Sequence, residues 1–208
     1  MSTWKILAVL AVSLPLTPVL RGSAQSSAKP SAAAKRVERF TRPSEMRIKP
    51  PAGAPGTGPA QACPNGSEMC RKFWALAGHF LNNNTIPARD RELLVLRTAW
   101  LSRVDYEWAH HHDSYSRKAG LTVEDVARVT RGPEAPGWSE FDRALLRAAD
   151  ELHGSMFIGD ATWKALASRY DDHQLVEVVL TVGNYTLLGM YFNSLGIPIE
   201  PGMTGVPD

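Results

Sequence analysis

The feature that most constrains the fold is an apolar repeat at helical spacing, which runs through most of residues 62–205. Apolar side chains recur every three or four positions, as they do on one face of an α-helix. Runs in which apolar and polar residues alternate, as in a half-buried strand, do not occur. The clearest stretches contain Met69, Phe73, Leu76, Ala77 and Phe80, and later Leu145, Leu146, Ala149 and Leu152. We therefore predict one all-α domain of about seven helices.

Polar residues and glycines indicate where these helices begin and end. Capping-box spacing marks two starts, and aspartates are predicted to cap three more helices. A glycine after the third helix, which begins near Asp105, is predicted to end it. The last helix, from His173 to about Ser194, is apolar on most sides, as is typical of a central helix or one at a subunit contact. The predicted caps are Thr122 with Asp125, Ser139 with Asp142, Asp90, Asp160 and either Asp171 or Asp172, and the terminating glycine is Gly120.

Two segments precede the domain. Residues 1–24 combine a positive Lys5, an apolar run and a small-residue site at 22–24, which are the features of a secretory signal. The run is short of the roughly 20 residues that span a bilayer, so cleavage is favoured over a retained anchor. We predict an exported protein, periplasmic or secreted, with no stable membrane insertion after cleavage. Residues 25–61 are rich in Ala, Ser, Pro and Gly and are predicted to be a disordered or extended linker.

The distribution of charge argues against a nucleic-acid partner. Residues 1–60 hold nine Lys/Arg and two Asp/Glu, whereas the remainder holds fourteen Lys/Arg and nineteen Asp/Glu. The predicted domain is therefore mildly acidic, and it offers no basic folded face to a polyanion.

Residues 92–112 carry the densest group of reactive side chains in the sequence. On a helix, Glu107 and His111 lie four residues apart and share one face. A carboxylate beside an imidazole is the smallest pair that can move a proton. The same spacing is also that of an ordinary surface ion pair. The neighbouring His110 and His112 are predicted to lie on a solvated or interface face.

Segments in a fixed order resemble the carboxymuconolactone decarboxylase family, within the alkylhydroperoxidase D-like superfamily. They are RELLVLRTAW, DYEWAHH, AGLT, FDRALLRAADELH, LASRYDDHQLVEVVLTVGNY and N.LGI. The resemblance covers nearly all of the sequence after the linker. It implies a helical alkylhydroperoxidase D-like domain, a small-molecule substrate, no cofactor and a homo-oligomer, commonly a trimer or hexamer.

The resemblance also shows which chemistry this chain lacks. The peroxidase branch of the superfamily uses a glutamate followed by Cys-x-x-Cys-x-x-x-His. The glutamate position corresponds to Glu92, the two cysteine positions to Val104 and Glu107, and the histidine position to His111. Because thiol peroxidase chemistry needs a thiolate and a resolving thiol, this pattern favours the decarboxylase-type branch.

We accordingly predict a cofactor-free lyase or decarboxylase, or an isomerase, that acts on a small carboxylated or lactone-like substrate. His111 is the predicted general acid/base, and Glu107 and Glu92 orient it and tune its pKa. Two alternatives stay open: a peroxidase or thiol-disulfide activity, and a non-catalytic oligomeric binding protein. Three further residues are predicted to bind substrate, and they are Tyr106, Tyr185 and Asn193.

A metal ion and the two cysteines complete the list of candidates. Glu92, Glu107 and a histidine form a set that can ligate a metal, but the resemblance is to a family that does not depend on metals as a rule, and no metal is predicted. Cys63 and Cys70 are predicted to form a structural disulfide in an oxidising compartment. The alternative is a displaced redox pair.

Overall fold

The computed structural model describes residues 36–37, 40–50, 59–63 and 67–208. These residues form helices and no strands, which confirms the predicted all-α class. Helix α3 has three parts: Asp105–His110 is α-helical, His111–Tyr115 is π-helical, and Ser116–Lys118 is a final α-helical turn. With α3 counted once, seven helices lie within the described residues, preceded by a 3-10 turn at Pro59–Ala62. The other six are α1 Glu68–Asn82, α2 Ala88–Leu101, α4 Val123–Arg131, α5 Glu140–Ser155, α6 Asp160–Ala167 and α7 Asp172–Leu195.

Three of the predicted N-terminal caps are confirmed, and each begins its helix. Thr122 and Asp125 form a reciprocal capping box at α4, and Ser139 and Asp142 form another at α5. Asp171 caps α7, and its side chain accepts the hydrogen bond of the Gln174 amide. A reciprocal box satisfies two backbone N–H groups that the helix leaves unpaired.

The predicted caps at Asp90 and Asp160 are wrong. Asp90 lies inside the first turn of α2, where its buried carboxylate accepts a hydrogen bond of 2.6 Å from the Tyr170 hydroxyl. Asp160 is the first residue of α6, and the backbone N–H of Gly159 before it is instead satisfied by Glu151. The partners lie 80 and eight residues away, outside the three-residue spacing on which a capping pattern depends.

Helix α2 is the centre of the domain and packs mainly against α5 and α7. Its leucines are fully buried, and so are the residues of α5 and α7 that face them. The burial of these apolar side chains dominates the stability of a small domain. The largest fully buried apolar side chains of these three helices include Leu93, Leu94, Val95, Leu96, Leu101, Leu145, Leu146 and Val178.

Helix α7 has two apolar faces with different surroundings. Its inner face carries Tyr185, Leu188 and Phe192, which are buried in the domain. Gly189 lies so close to α3 that a Cβ there would come within 2.6 Å of the Val104 side chain. By length and composition α7 is sufficient to cross a membrane, but more than half of the apolar stretch is buried inside the domain, as in the core helix of a folded protein.

The outer face of α7 is exposed although it is apolar. We call its exposed positions the outer stripe, and they follow a spacing of four, three, four and three residues. Such spacing is that of a helix seam that packs on another helix. The outer stripe consists of Val176, Leu180, Gly183, Leu187 and Met190.

The predicted signal at residues 1–24 lies outside the described residues, whereas part of the predicted linker packs on the domain. The backbone N–H of Val37 donates to the Leu101 carbonyl at 3.1 Å, and that of Arg47 donates to the Leu195 carbonyl at 2.9 Å. Arg36 also lies over the Trp100 ring, 4.6 Å from its centre. These contacts hold the described stretch against the ends of α2 and α7.

Cys63 and Cys70 form a disulfide whose Cα atoms are 6.0 Å apart. The bond joins the end of the 3-10 turn at 59–62 to the first turn of α1. On its other side this turn is tied to α7, because the Tyr191 hydroxyl donates to the Pro59 carbonyl at 2.8 Å.

Candidate active site

Helices α2 and α3 bring together the three residues that the sequence singled out for proton transfer. Glu92 of α2 lies on one side of the His111 ring, with its Oε2 2.6 Å from Nδ1. Glu107, one turn before His111 on α3, lies on the other side, with its Oε2 3.3 Å from Nε2. The imidazole is thus held between two carboxylates, one at each ring nitrogen.

The π-helical segment begins at His111 itself. There the backbone N–H of Ser116 donates to the His111 carbonyl five residues earlier, instead of four. Single π-turns inside α-helices are frequent at functional sites because they reorient the side chains around them. Here the segment places the Tyr115 ring beside His111, at 4.9 Å between ring centres.

An arginine extends the chain of charges behind Glu92. Arg91 donates from Nε and Nη2 to Glu92 Oε1, at 3.1 and 3.0 Å. Along this chain of contacts the order is Arg91, Glu92, His111 and Glu107, so cation and anion alternate. All three residues of the Glu92–His111–Glu107 group are buried. Each charged side chain therefore needs an oppositely charged neighbour to offset its loss of hydration.

The pKa of His111 reflects a competition between burial and the two neighbouring carboxylates. Burial acts to lower it, but the carboxylates of Glu92 and Glu107 outweigh burial and raise the pKa of His111 to about 9. At neutral pH the ring is therefore an imidazolium with both N–H groups donating. Burial also raises the pKa of Tyr185, with added contributions from Glu107 and Glu92, so its hydroxyl stays protonated.

Beside this group lies a cavity of about 270 Å³. Glu107 and His111 reach its wall, while Glu92 and Arg91 are behind them. Aromatic and aliphatic side chains from α1, α3 and α7 form most of the remaining wall, and Pro59 of the 3-10 turn contributes to one edge. These walls include Trp74, Ala77, Leu81, Tyr106, Tyr115, Tyr185, Leu188 and Phe192.

Two of the three residues predicted to bind substrate line this cavity. Tyr185 packs edge-on against the His111 ring, 5.2 Å between centres, and Tyr106 stacks on His110 at 4.3 Å. The prediction that Asn193 lines the pocket is wrong. Its side-chain amide donates to the Ser102 carbonyl, and the residue borders a different depression. Position 193 is about 100° around α7 from Phe192, and only the face of Phe192 looks into the cavity.

The two neighbouring histidines separate. His110 lines the cavity edge, with Nδ1 2.9 Å from the Tyr106 carbonyl and Nε2 3.4 Å from Glu200. His112 lies outside the cavity and pairs with Asp113 at 2.6 Å.

Sequence reasoning missed Arg91, Tyr115 and Trp74. Arg91 directly precedes Glu92, and Tyr115 lies four residues after His111, so their spacing held a signal for both. Trp74 carried none, because it lies on α1, which no helical spacing links to Glu92 or His111. Its indole N–H is buried and has no hydrogen-bond partner in the described residues.

Thiol chemistry is absent from this site. Val104, at the first cysteine position of the peroxidase pattern, is fully buried, and the second position is Glu107. The two cysteines of the sequence are joined in the Cys63–Cys70 disulfide.

The geometry also separates the residues that were considered as metal ligands. Glu92 and Glu107 approach opposite nitrogens of His111, so the two carboxylates and a ring lone pair do not converge on one point. Across the part of the chain that the structure describes, no group of three or more His, Cys, Asp or Glu is arranged to hold a metal ion.

Comparison with known proteins places this site in a family. Residues 68–151, which include Glu92, Glu107 and His111, match the model of the carboxymuconolactone decarboxylase family. This stretch belongs to that family, and the assignment made from the sequence is confirmed. Among curated proteins, none matches the sequence significantly.

Solved structures show the same fold at low sequence identity. A protein of unknown function from Agrobacterium tumefaciens, provisionally described as an antioxidant defence protein AhpD, is 18% identical with a TM-score of 0.57, over 64% of this chain and 91% of its own. A peroxidase-related protein with an alkylhydroperoxidase AhpD core from Ralstonia eutropha JMP134 is 16% identical with a TM-score of 0.57, over 64% and 71%. The debrominase Bmp8, in complex with 2,3,4-tribromopyrrole, is 14% identical with a TM-score of 0.59, over 69% and 76%. At these identities the likeness shows the alkylhydroperoxidase D-like fold.

Proposed function

We propose that this protein is a cofactor-free enzyme of the lyase or isomerase type that transfers a proton to or from a small organic substrate in the cavity. The observation that carries this proposal is the buried Glu92–His111–Glu107 group, which has one closed end and one end at the cavity wall. At the closed end, Arg91 donates a hydrogen bond to Glu92. Glu107 at the outer end is the group that a substrate meets.

The arrangement supplies the parts of general acid–base catalysis. Glu107 accepts a proton from carbon or oxygen of the substrate, and His111, 3.3 Å away, stabilises or exchanges that proton. In the reverse sense the imidazolium returns a proton through Glu107 to an enolate carbon. If carbon dioxide leaves instead, the electron pair of the broken C–C bond passes to the adjacent carbonyl, and the same pair protonates the resulting enolate.

The direct test is proton exchange, because it needs no knowledge of the natural product. Small lactones and cyclic ketones are incubated with protein in D₂O, and loss of the C–H signal beside the carbonyl is followed by NMR. We expect exchange that falls roughly 10²–10⁴-fold in Glu107→Gln and His111→Asn. Glu140→Gln, an exposed change on α5, is the control. Full exchange rates in both site variants would falsify the proposal.

A peroxidase or thiol-disulfide activity is the second candidate, favoured by the likeness to AhpD-type structures. Such a reaction has to use Cys63 and Cys70, since the sequence has two cysteines. Peroxide consumption that disappears in Cys63→Ser and Cys70→Ser supports it and excludes the proton-transfer account. Ligand binding with neither exchange nor peroxide consumption indicates the third candidate, a binding protein.

We also propose that the protein works outside the cytoplasm. The signal-like residues 1–24 support export, and the Cys63–Cys70 disulfide suits an oxidising compartment. Mass spectrometry of the exported protein should show a new N-terminus near residue 25 and no free thiol. An intact N-terminus with two free thiols in a cytoplasmic fraction contradicts this proposal.

The expected homo-oligomer has a candidate contact in the outer stripe of α7. The stripe is symmetric about Gly183: Leu180 and Leu187 lie three and four residues from it, and Val176 and Met190 each lie seven away. A two-fold contact requires such self-complementarity. Two copies with antiparallel α7 helices bring Leu180 of one against Leu187 of the other, and glycine allows the helices to approach closely.

Light scattering after size exclusion tests this contact. We expect Leu180→Glu with Leu187→Glu to reduce the oligomer, whereas Val123→Glu, at a more exposed apolar site at the start of α4, should not. An unchanged mass for the double variant contradicts an interface on the outer stripe.

A further inference from the structure

The cavity beside Glu107 combines aromatic walls with an unusual balance of charge. Five aromatic rings line it, from Trp74, Tyr106, Tyr115, Tyr185 and Phe192. Among the described residues, its titratable lining groups apart from the tyrosines are Glu107, His110 and His111, and no described lysine or arginine lines it.

The His111 imidazolium and its neighbour Arg91 are already paired with carboxylates. His111 lies between Glu92 and Glu107, and Arg91, which does not line the cavity, donates to the Glu92 oxygen that does not contact His111. At the cavity edge, His110 faces the Glu200 carboxylate. Across Arg91, Glu92, His111 and Glu107 the formal charges cancel, and the member that reaches the wall beside His111 is an anion.

This arrangement penalises a carboxylated ligand. A carboxylate that enters the cavity loses its hydration and meets Glu107, with no free cation to offset either cost. A neutral ligand avoids both costs. If it carries an O–H group, it also donates a hydrogen bond to Glu107, and a hydrogen bond to a charged group is about twice as strong as a neutral one.

On the basis of the proposed function, we propose that the cavity selects an uncharged ring compound with an O–H or enolisable C–H group, and rejects its carboxylated counterpart. Of the substrate types expected from the sequence, the lactone-like one fits and the carboxylated one does not. The corresponding reaction is an enolisation or isomerisation: a proton leaves carbon for Glu107, the electron pair moves to the adjacent carbonyl, and a proton returns to the same carbon or, where a C=C bond is conjugated with the enolate, to the far carbon of that bond.

A matched pair of ligands tests this selection without turnover. 4-Hydroxybenzamide and 4-hydroxybenzoate have nearly the same size and ring, but at pH 7 the first is neutral and the second is an anion. We expect titration calorimetry to show at least about tenfold tighter binding of the amide to the wild-type protein. Equal binding, tighter binding of the benzoate, or no binding of either at millimolar concentration overturns the proposal.

Three variants locate the cause of the selection. In Glu107→Gln the preference for the amide should shrink severalfold, while in Glu140→Gln it should be unchanged. Leu81→Lys adds a cation at the cavity wall and should improve 4-hydroxybenzoate binding severalfold, which keeps the test decisive if Glu107→Gln is unstable. A preference that none of these changes alters also overturns the proposal. Failure of the proton-transfer function appears separately, as exchange that does not depend on Glu107 and His111.

Discussion

Helix α2 contributes to two buried charged clusters, and they differ in one respect that matters for function. On one side Glu92 pairs with His111, and the chain of contacts continues to Glu107 at the cavity wall. On the other side Arg97 donates two hydrogen bonds, of 2.6 and 3.0 Å, to Asp150 of α5. Its remaining nitrogen donates to the Val129 carbonyl near the end of α4, at 2.9 Å.

The Arg97 cluster is closed, whereas the His111 cluster has an open end. The side-chain donors of Arg97 bond to protein acceptors. Gly132 lies so close to Arg97 that a Cβ on Gly132 would come within 2.9 Å of the guanidinium. Both clusters are buried, and both perturb a titration: burial raises the pKa of Asp150 even beside Arg97. Burial and a shifted pKa therefore do not by themselves mark a site. The cavity at Glu107 distinguishes the two clusters.

The largest effect should follow from breaking the closed cluster. Arg97→Ala leaves Asp150 buried without its partner, and we expect a loss of about 3–5 kcal/mol in the free energy of unfolding, measured by urea denaturation. Arg143→Ala is the control, because its contact with Glu140 is long and exposed, and should cost under about 1 kcal/mol. A small loss at Arg97 contradicts a structural role for that cluster.

The open cluster should make the protein lose stability at alkaline pH. The folded-state pKa of His111, about 9, lies above the unfolded value of 6.5. Its contribution is therefore fully present below about pH 6.5 and is lost as the pH rises through 9. The contribution is on the order of 3 kcal/mol.

Urea midpoints between pH 6 and 10 measure this term. The wild type should lose stability over that range more steeply than His111→Asn, and Arg97→Ala should keep the wild-type slope. Parallel curves for the wild type and His111→Asn would show that the imidazole is not held as a cation.

Local patterns predicted the helices well, because their determinants lie a few residues apart. The capping boxes at Thr122 and Ser139 each need one residue three positions away, and both occur. Asp90 fails for the opposite reason, since its partner Tyr170 is 80 residues distant. The family resemblance supplied what periodicity lacks, namely that Glu92 and His111, nineteen residues apart, meet.

Other parts of the site were beyond sequence reasoning because they depend on rotation and register. No residue type indicates the π-helical turn at 111–115, although the spacing of Tyr115 from His111 did indicate that these two side chains are neighbours. A rotation of about 100° around α7 separates Phe192, in the cavity, from Asn193, outside it. That the described cavity lining has no unpaired cation emerges only when Arg91 is seen to pair with Glu92.

A smaller change in stability should result when the closed cluster is replaced as a unit. Arg97→Met with Asp150→Leu removes both charges together, so no unpaired ion remains, and we expect a cost of about 1–2 kcal/mol from the lost bonds to α4. Proton exchange should survive. A cost as large as that of Arg97→Ala alone shows that the bonds to α4, rather than the ion pair, carry the stability.

The smallest change probes the open cluster from its inner end. Glu92→Gln keeps the shape of the side chain and a hydrogen-bond acceptor for His111 but removes the charge that most strongly favours the imidazolium. We expect the pKa of His111 to fall by about one unit or more, followed through the ring proton shifts of an NMR titration. The pH dependence of proton exchange should move down with it, while unfolding near pH 6 changes little compared with Arg97→Ala. If the His111 titration stays near 9, Glu107 rather than Glu92 holds the proton, and the open end of the cluster alone sets the acid–base behaviour of the site.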